Sequence, residues 1–360
     1  MFLHGLRRLP PWTRLYKTAE VGTTQLRLEE QVGMWQVGDR VVVSTTSKDF
    51  RQSEVRTIVS LSDDRYTVEL DSKLKYTHVA YNDRYGAYNF IAGAEVAVLT
   101  SNIVIQGDDQ SEQDKFGGRI LVSVAEIDGT YTVGQLRLSA VLLRQMGQSQ
   151  YLSSTDARLP VAFINCGDLD RRSYINYSMF ENSFSHAIGL YGTDNMDIRY
   201  AVIYKSAGSG LIVEGNGVLL SHVAIIESGW SGSSTSGSND GGLDLMIQSG
   251  LNLRRATAAT LYDVVVGGAE RVCMVTSGLS CDTDPLNQWR YVVVHSCLVG
   301  VINVAENMNC TLVRDVIVYS TSEFPIYWHT MSSVRADSVQ LADNTGGTLD
   351  LVYYQKESRS

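Results

Sequence analysis

Short apolar runs rich in β-branched residues recur along this chain, each closed by Gly, Asn, Asp or Ser, and the pattern predicts strands. Examples are Arg40-Val41-Val42-Val43-Ser44, Arg65 to Leu70 (RYTVEL), Asn102 to Gln106 (NIVIQ) and Trp289 to Val294 (WRYVVV). No long i, i+3, i+4, i+7 apolar stripe with caps accompanies them, so the class is all-β. From Ser173 the pattern becomes periodic, with a pitch near 22 residues. Ser173 to Asn195 and Met196 to Gly217 each read as two short strands separated by a polar corner, and similar coils start at Leu261, Tyr291, Leu312 and Val334. A unit this short cannot bury its apolar face alone, whereas stacked coils build one continuous core. The expected architecture is a right-handed parallel β-helix, with Gly or Asn supplying the unusual backbone conformations at its corners.

One segment interrupts the rhythm. Gly229 to Gly242 (GWSGSSTSGSNDGG) reads as a Gly/Ser-rich insertion between coils.

Composition narrows the function classes. The 360 residues are 44% hydrophobic and 19% charged, which is globular. Net charge is −9 and the basic residues are scattered, which excludes the footprint of a nucleic-acid binder. No apolar run reaches the roughly 18 residues needed to span a bilayer. The first residues lack the features of a signal peptide, while the sequons Asn176-Tyr177-Ser178 and Asn309-Cys310-Thr311 point toward a secretory route. Among five cysteines, local disulfides Cys273–Cys281 and Cys297–Cys310 would leave Cys166 alone; free, buried cysteines are the alternative. No CxxC pair and no histidine at zinc-site spacing accompany them.

Near the N-terminus the texture changes. Trp12-Thr13-Arg14-Leu15, then Val32 to Val43 (VGMWQVGDRVVV) with Trp35, Gly38 and Asp39, and then Leu70 to His78 (LDSKLKYTH) follow in order. These, with Ala94 to Asp109 and Lys115 to Val122, resemble the C-terminal half of the eight-glycine extracellular domain and its joining segment. That domain precedes a parallel β-helix in the fibrocystin and fibrocystin-like family and in the related cell-migration-inducing and transmembrane hyaluronan hydrolases. The resemblance implies a partial eight-glycine domain over 1–84 and a β-helix over 85–357. It also implies a piece of a larger membrane-anchored protein at the cell surface, facing an extracellular glycan or protein.

In the hydrolase relatives a segment of the form HFHMAGD supplies histidines. The matching stretch here, Ala162-Phe163-Ile164-Asn165-Cys166-Gly167-Asp168, keeps the glycine and aspartate and replaces both histidines, and Phe180, Glu181, Tyr191 and Ser209 stand where further histidines would follow. Alanine and isoleucine neither ligate a metal nor move a proton, so the resemblance favours a non-catalytic receptor segment that binds a glycan or protein partner or acts as a rigid spacer.

The alternative is a polysaccharide hydrolase or lyase. It would draw on Asp168, Asp170, Glu181, His186, Asp194 and Glu214, with Asp168, Glu181 and His186 as the catalytic candidates. His222 and His295 read as wall residues. Binding candidates are Asp168 and Asp170 beside Arg171 and Arg172, and tyrosines on successive coils (Tyr174, Tyr177, Tyr191, Tyr200, Tyr204) that would stack sugar rings or simply brace the coils. No cofactor is expected. Candidate calcium ligands are Asp194 and Asp197, and the loop Asp108, Asp109, Glu112 and Asp114. A phage or bacterial adhesin of the same fold would explain the solenoid but not the Trp35–Asp39 element.

Overall fold

A strand of three or four residues cannot stand alone, so each short run needs a partner one coil away. The computed structural model describes residues 1–85, 88–149, 158–229, 248–282, 288–305, 309–346 and 350–352. In it, parallel pairing supplies that partner along three walls, one more than the two strands per unit read from the sequence. On the first wall Leu3, Leu138, Ile175, Ile198, Leu220, Leu261 and Trp289 are successive register partners. On the second, Ile105, Leu143, Phe180, Ile203, Ile225, Val266, Val294, Val318 and Leu341 align. On the third, Ile120, Val161, Ile188, Leu211, Leu251, Met274, Val301 and Ile326 align. These three columns point inward and merge in one apolar core. The fold is thus the expected right-handed parallel β-helix.

Two of the three corners differ from expectation. Between the first and second walls the left-handed positions are Ala140, Tyr177, Tyr200, His222, Asp263, Tyr291, Asp315 and Ser338. Between the second and third they are Gln145, Asn182, Lys205, Glu227, Gly268, Ser296, Ser320 and Asp343. Glycine and asparagine supply few of these, whereas at the end of the third wall and just after it Asn165, Gly167, Gly192, Asn195, Gly217 and Gly278 take positive-φ positions as expected. Each non-glycine residue at such a corner costs about 1–2 kcal/mol, a strain sustained because ladders on both sides fix the turn.

A separate antiparallel sheet occupies the N-terminal part, in the order Trp12–Arg14, Glu95–Val98, Arg40–Val43, Glu54–Leu61, Thr67–Leu70, Gln25–Arg27. Its own core holds Val41, Val43, Trp35 and Ile58. The Trp35-x-x-Gly38-Asp39 element builds a turn: Trp35 Nε1 donates to the Pro10 carbonyl at 2.7 Å, Gly38 sits at φ 93°, and buried Asp39 accepts from Gln36 N–H (2.8 Å) and Arg8 Nε (2.9 Å). This sheet is an insertion in the first coil. Phe2–His4 already pairs with Arg137–Ser139 on the first wall, and the second wall starts at Val104–Gln106. A division at 84/85 would cut Glu95–Val98, a central strand, from its sheet. Its Val96-Ala97-Val98 run resembles a coil strand, and only its antiparallel partners reveal where it belongs.

The disulfides also differ from the local pairing considered. Cys273 joins Cys297 and Cys281 joins Cys310, with Cα separations of 5.7 and 5.6 Å, while Cys166 is free and buried. In a solenoid, residues eight or thirteen apart lie on different walls, whereas residues about one coil apart are neighbours. The Gly/Ser-rich stretch lies outside the described residues apart from Gly229, and the third wall resumes at Ser249–Leu253.

Candidate functional site

From Leu142 to Ile317 one column of outward positions on the second wall is closed to solvent. This column is apolar: Leu142, Met179, Val202, Ala224, Val265, Val293 and Ile317 pack against Trp12, Val42 and Ala97 of the N-terminal sheet and against Phe90 and Leu99 beside it. This explains why runs such as Val292-Val293-Val294 are apolar on both parities: both faces of the wall are covered.

The neighbouring column and the corner beside it carry polar and charged groups that meet partners from the sheet. Arg40 Nη1 and Nη2 donate to Glu181 at 3.0 and 2.7 Å, and Arg144 Nε adds a third bond at 2.8 Å. Arg14 pairs with Asp263 at 2.7 Å, and Trp12 Nε1 donates to the His222 carbonyl at 2.8 Å. Glu95 Oε2 lies 3.1 Å from His295 Nε2 and accepts from Ser44 Oγ at 2.6 Å. Burial works to raise the Glu95 carboxyl, yet His295, Arg14 and Ser44 hold it below its ordinary value.

The three catalytic candidates therefore occupy different environments. Glu181 is sealed under the sheet with its carboxylate spent on two arginines. His186 is buried, Ser209 N–H donates to its Nδ1 at 2.7 Å, and burial pushes it down to about 4. Asp168 is exposed and accepts from Asn195 Nδ2 (2.8 Å) and Asp170 N–H (2.7 Å). The Asn195 bond leads in holding its carboxyl below the ordinary range. Glu214 pairs with Arg255 at 3.3 Å. Ala162 and Ile164, in the place of the hydrolase histidines, lie in an apolar cluster with Leu159, Tyr191 and Ile212 on the outer side of the third wall.

Asp168 and Asp170 do share an open cleft of about 380 Å3, with Arg172, Gln135 and Tyr131 on its rim. Arg172 Nη2 donates to Asp170 Oδ2 at 3.2 Å. Tyr131, 74% exposed, stands on a hairpin in which Ala125–Ile127 pairs with Thr130–Thr132 around Asp128-Gly129, both at positive φ. Sequence reasoning missed Tyr131, although an Asp-Gly turn between alternating strands is a hairpin signal.

The corner tyrosines stack on one another. Tyr177 stacks on Tyr200 with centroids 4.8 Å apart, Tyr200 stacks on His222 at 4.4 Å, and Arg7 lies 4.5 Å over the free face of Tyr177. These left-handed corner residues present their faces to one another, so no face in the middle of the ladder is open to a ring. Tyr174 stacks on His4, and Tyr191 and Tyr204 are buried elsewhere.

The calcium candidates are likewise engaged. Asp197 is bridged by Arg171 and by Arg199 (2.8 Å), and Asp194 Oδ1 accepts the Asn216 N–H at 2.7 Å. Asp108 accepts from Ser111 N–H at 3.0 Å, and Glu112 meets Lys115 at 2.7 Å. No group of three or more candidate metal ligands occurs among the described residues. Of the sequons, Asn176 Oδ1 is buried without a partner and the Ser178 side chain is buried, while Asn309 is exposed. Among the described residues no helix is long and apolar enough to cross a membrane.

Residues 115–218 match the family model described as CEMIP beta-helix. Fibrocystin-L of Mus musculus is 31% identical over 98% of this chain, which spans only 8% of that relative's length. Human cell surface hyaluronidase CEMIP2 is 28% identical over 55% of this chain and 14% of its own. Among solved structures, the Gp54 tailspike of Acinetobacter baumannii bacteriophage AP22 covers 95% of this chain and 57% of its own at 11% identity, with a TM-score of 0.27.

Proposed function

We propose that this chain, which belongs to the fibrocystin-like family, is a non-catalytic extracellular segment of a larger cell-surface protein: a rigid sheet-on-solenoid unit that offers the Asp168–Asp170 cleft to a glycan or protein partner. The observation that carries this reading is the apolar cluster at Ala162 and Ile164, together with the separation of Glu181, His186 and Asp168 into a sealed interface, a core and an exposed corner. A glycosidase needs a carboxylic acid held protonated beside a second carboxylate. Asp168 is shifted in the opposite sense, which suits an acceptor of hydroxyl or amide hydrogen bonds. An exposed aromatic beside acidic and guanidinium groups is a common arrangement for polar ligands. Two disulfides linking successive coils support an oxidising compartment.

The test is retention of the purified chain on immobilised glycosaminoglycans and on a panel of cell-surface ectodomains. Binding that falls at least about tenfold in Tyr131→Ala and Asp170→Asn supports the cleft. Binding unchanged by both variants removes it.

A further inference from the structure

The cleft that holds Asp168 and Asp170 has a strand edge for one of its walls. Tyr131, Thr132, Val133, Gly134 and Gln135 all line it, with Asp168, Leu169, Asp170 and Arg172 completing the lining. A strand that turned one face to the cleft would contribute alternate residues only, so a consecutive run means that its edge is presented. Register says which backbone groups that edge carries. Ile127 pairs with Thr130 and Ala125 with Thr132, and one step further the Gly134 N–H donates to the Ser123 carbonyl at 3.0 Å. The N–H and C=O groups of Thr130 and Thr132 therefore point to the partner strand, and those of Tyr131 and Val133 point away from it. Among the described residues no strand pairs with that outer edge. Beyond it, the Gln135 carbonyl accepts from the Met1 nitrogen at 2.7 Å.

An open edge is ordinarily blunted by charge or proline. Thr130–Val133 (TYTV) has neither, and it is exposed from Thr130 to Thr132. The two-stranded ribbon is also open on both faces, with Ile127 57% exposed on one and Tyr131 74% exposed on the other. Such a ribbon gains from a third strand. Charge sets the chemistry of that strand. Asp168 Oδ1 accepts from Asn195 and the Asp170 N–H, and Asp170 Oδ2 accepts from Arg172, while Asp168 Oδ2 and Asp170 Oδ1 take no hydrogen bond among the described residues. Arg171 is turned away to Asp197. Two exposed carboxylates against the Arg172 guanidinium leave the cleft negative, and Glu126, opposite Tyr131 on the ribbon, adds to it. A cationic partner complements it.

We propose that this cleft takes an extended peptide segment bearing a lysine or arginine, which adds as a third strand to the Thr130–Val133 edge through the Tyr131 and Val133 backbone while its cation lies on Asp168 and Asp170. This rests on the reading of the cleft as the partner-binding site and gives the partner its class: a protein strand held by its backbone. No covalent step is involved.

Fluorescence anisotropy of the labelled pentapeptide TVKVT, capped at both ends, against the full disulfide-bonded chain at up to about 1 mM tests the site. Saturable binding is expected. TVEVT binds at least about tenfold more weakly. Of two N-methylated forms of TVKVT, one modified at both valines and one at the lysine and the last threonine, at least one loses about tenfold, because an added strand needs the N–H groups of its inner edge. Val133→Pro removes an outward N–H and leaves the hairpin ladder intact, so it weakens binding at least about tenfold while thermal unfolding is unchanged. Asp170→Asn, at an exposed position, weakens binding as well and serves if the proline variant misfolds. Absence of saturable TVKVT binding overturns the proposal, as does equal binding by TVEVT, by both N-methylated forms or by Val133→Pro. Glycosaminoglycan retention that depends on Tyr131 and Asp170 without TVKVT binding overturns the strand partner and keeps the cleft, whereas absence of both removes the cleft as well.

Discussion

Glu95 and His295 stand 200 residues apart in sequence, yet their side chains meet at 3.1 Å with neither exposed to solvent. The contact joins the N-terminal sheet to the second wall, and Gly267 makes room for it. A β-carbon at 267 would lie 2.7 Å from His295 Nε2 and 2.9 Å from Glu95 Oε2. Gly267→Ala should therefore lower stability by about 1–3 kcal/mol. His295→Ala, which strands a buried carboxylate, should cost about 3–5 kcal/mol. Chemical denaturation of both variants reads these losses, and unchanged midpoints would show that the sheet is not seated this way.

Two buried groups give stability opposite slopes with pH. His186 is depressed from 6.5 to about 4, so the unfolded chain binds the extra proton between those values. Its contribution is complete above about 6.5 and is lost as pH falls through about 4. Glu227 is raised from 4.5 to about 7, so its contribution is present below about 4.5 and is lost as pH rises through about 7. Glu227→Gln should therefore stabilise the chain at pH 8, by about 3 kcal/mol at most, with no gain at pH 4. Thermal denaturation at the two pH values measures the difference, and an equal effect at both would contradict the burial argument.

Disulfide mapping by non-reducing peptide mass spectrometry should recover Cys273–Cys297 and Cys281–Cys310. Removing the second bridge as the Cys281→Ser, Cys310→Ser double variant should cost about 3 kcal/mol. Recovery of Cys273–Cys281 would place the two cysteines on a different coil geometry.

The Tyr177–Tyr200–His222 stack braces three coils, so Tyr200→Ala should destabilise by about 3 kcal/mol or somewhat less, given its partial exposure. Retention on glycosaminoglycan columns should not change with it. Loss of retention without loss of stability would restore a sugar-binding role to the ladder.

Much of the solenoid was legible because a period-2 strand inside a coil repeat leaves a mark in sequence, as in Tyr174, Asp197 and Leu219 taking the same wall position on successive coils. The covered second wall was marked too, by Val264-Val265-Val266 and Val292-Val293-Val294, but such runs do not say what covers them. The insertion of the sheet could not be read, since Phe2-Leu3-His4 is too short to declare its partner. Spacing along the chain misled the disulfide reading because neighbours in a solenoid lie about a coil away. The site was half legible: Asp168 and Asp170 were visible as a charged turn, but the sealing of Glu181 by Arg40 depends on a contact across 141 residues.

The most direct test of the non-catalytic reading is size-resolved incubation of the secreted, disulfide-bonded chain with hyaluronan and other glycosaminoglycans, with and without calcium. Polymer length unchanged over many hours is the expected result, whether or not the polymer is retained. Shortening that disappears in Asp168→Asn would contradict it and make the exposed cleft an active site.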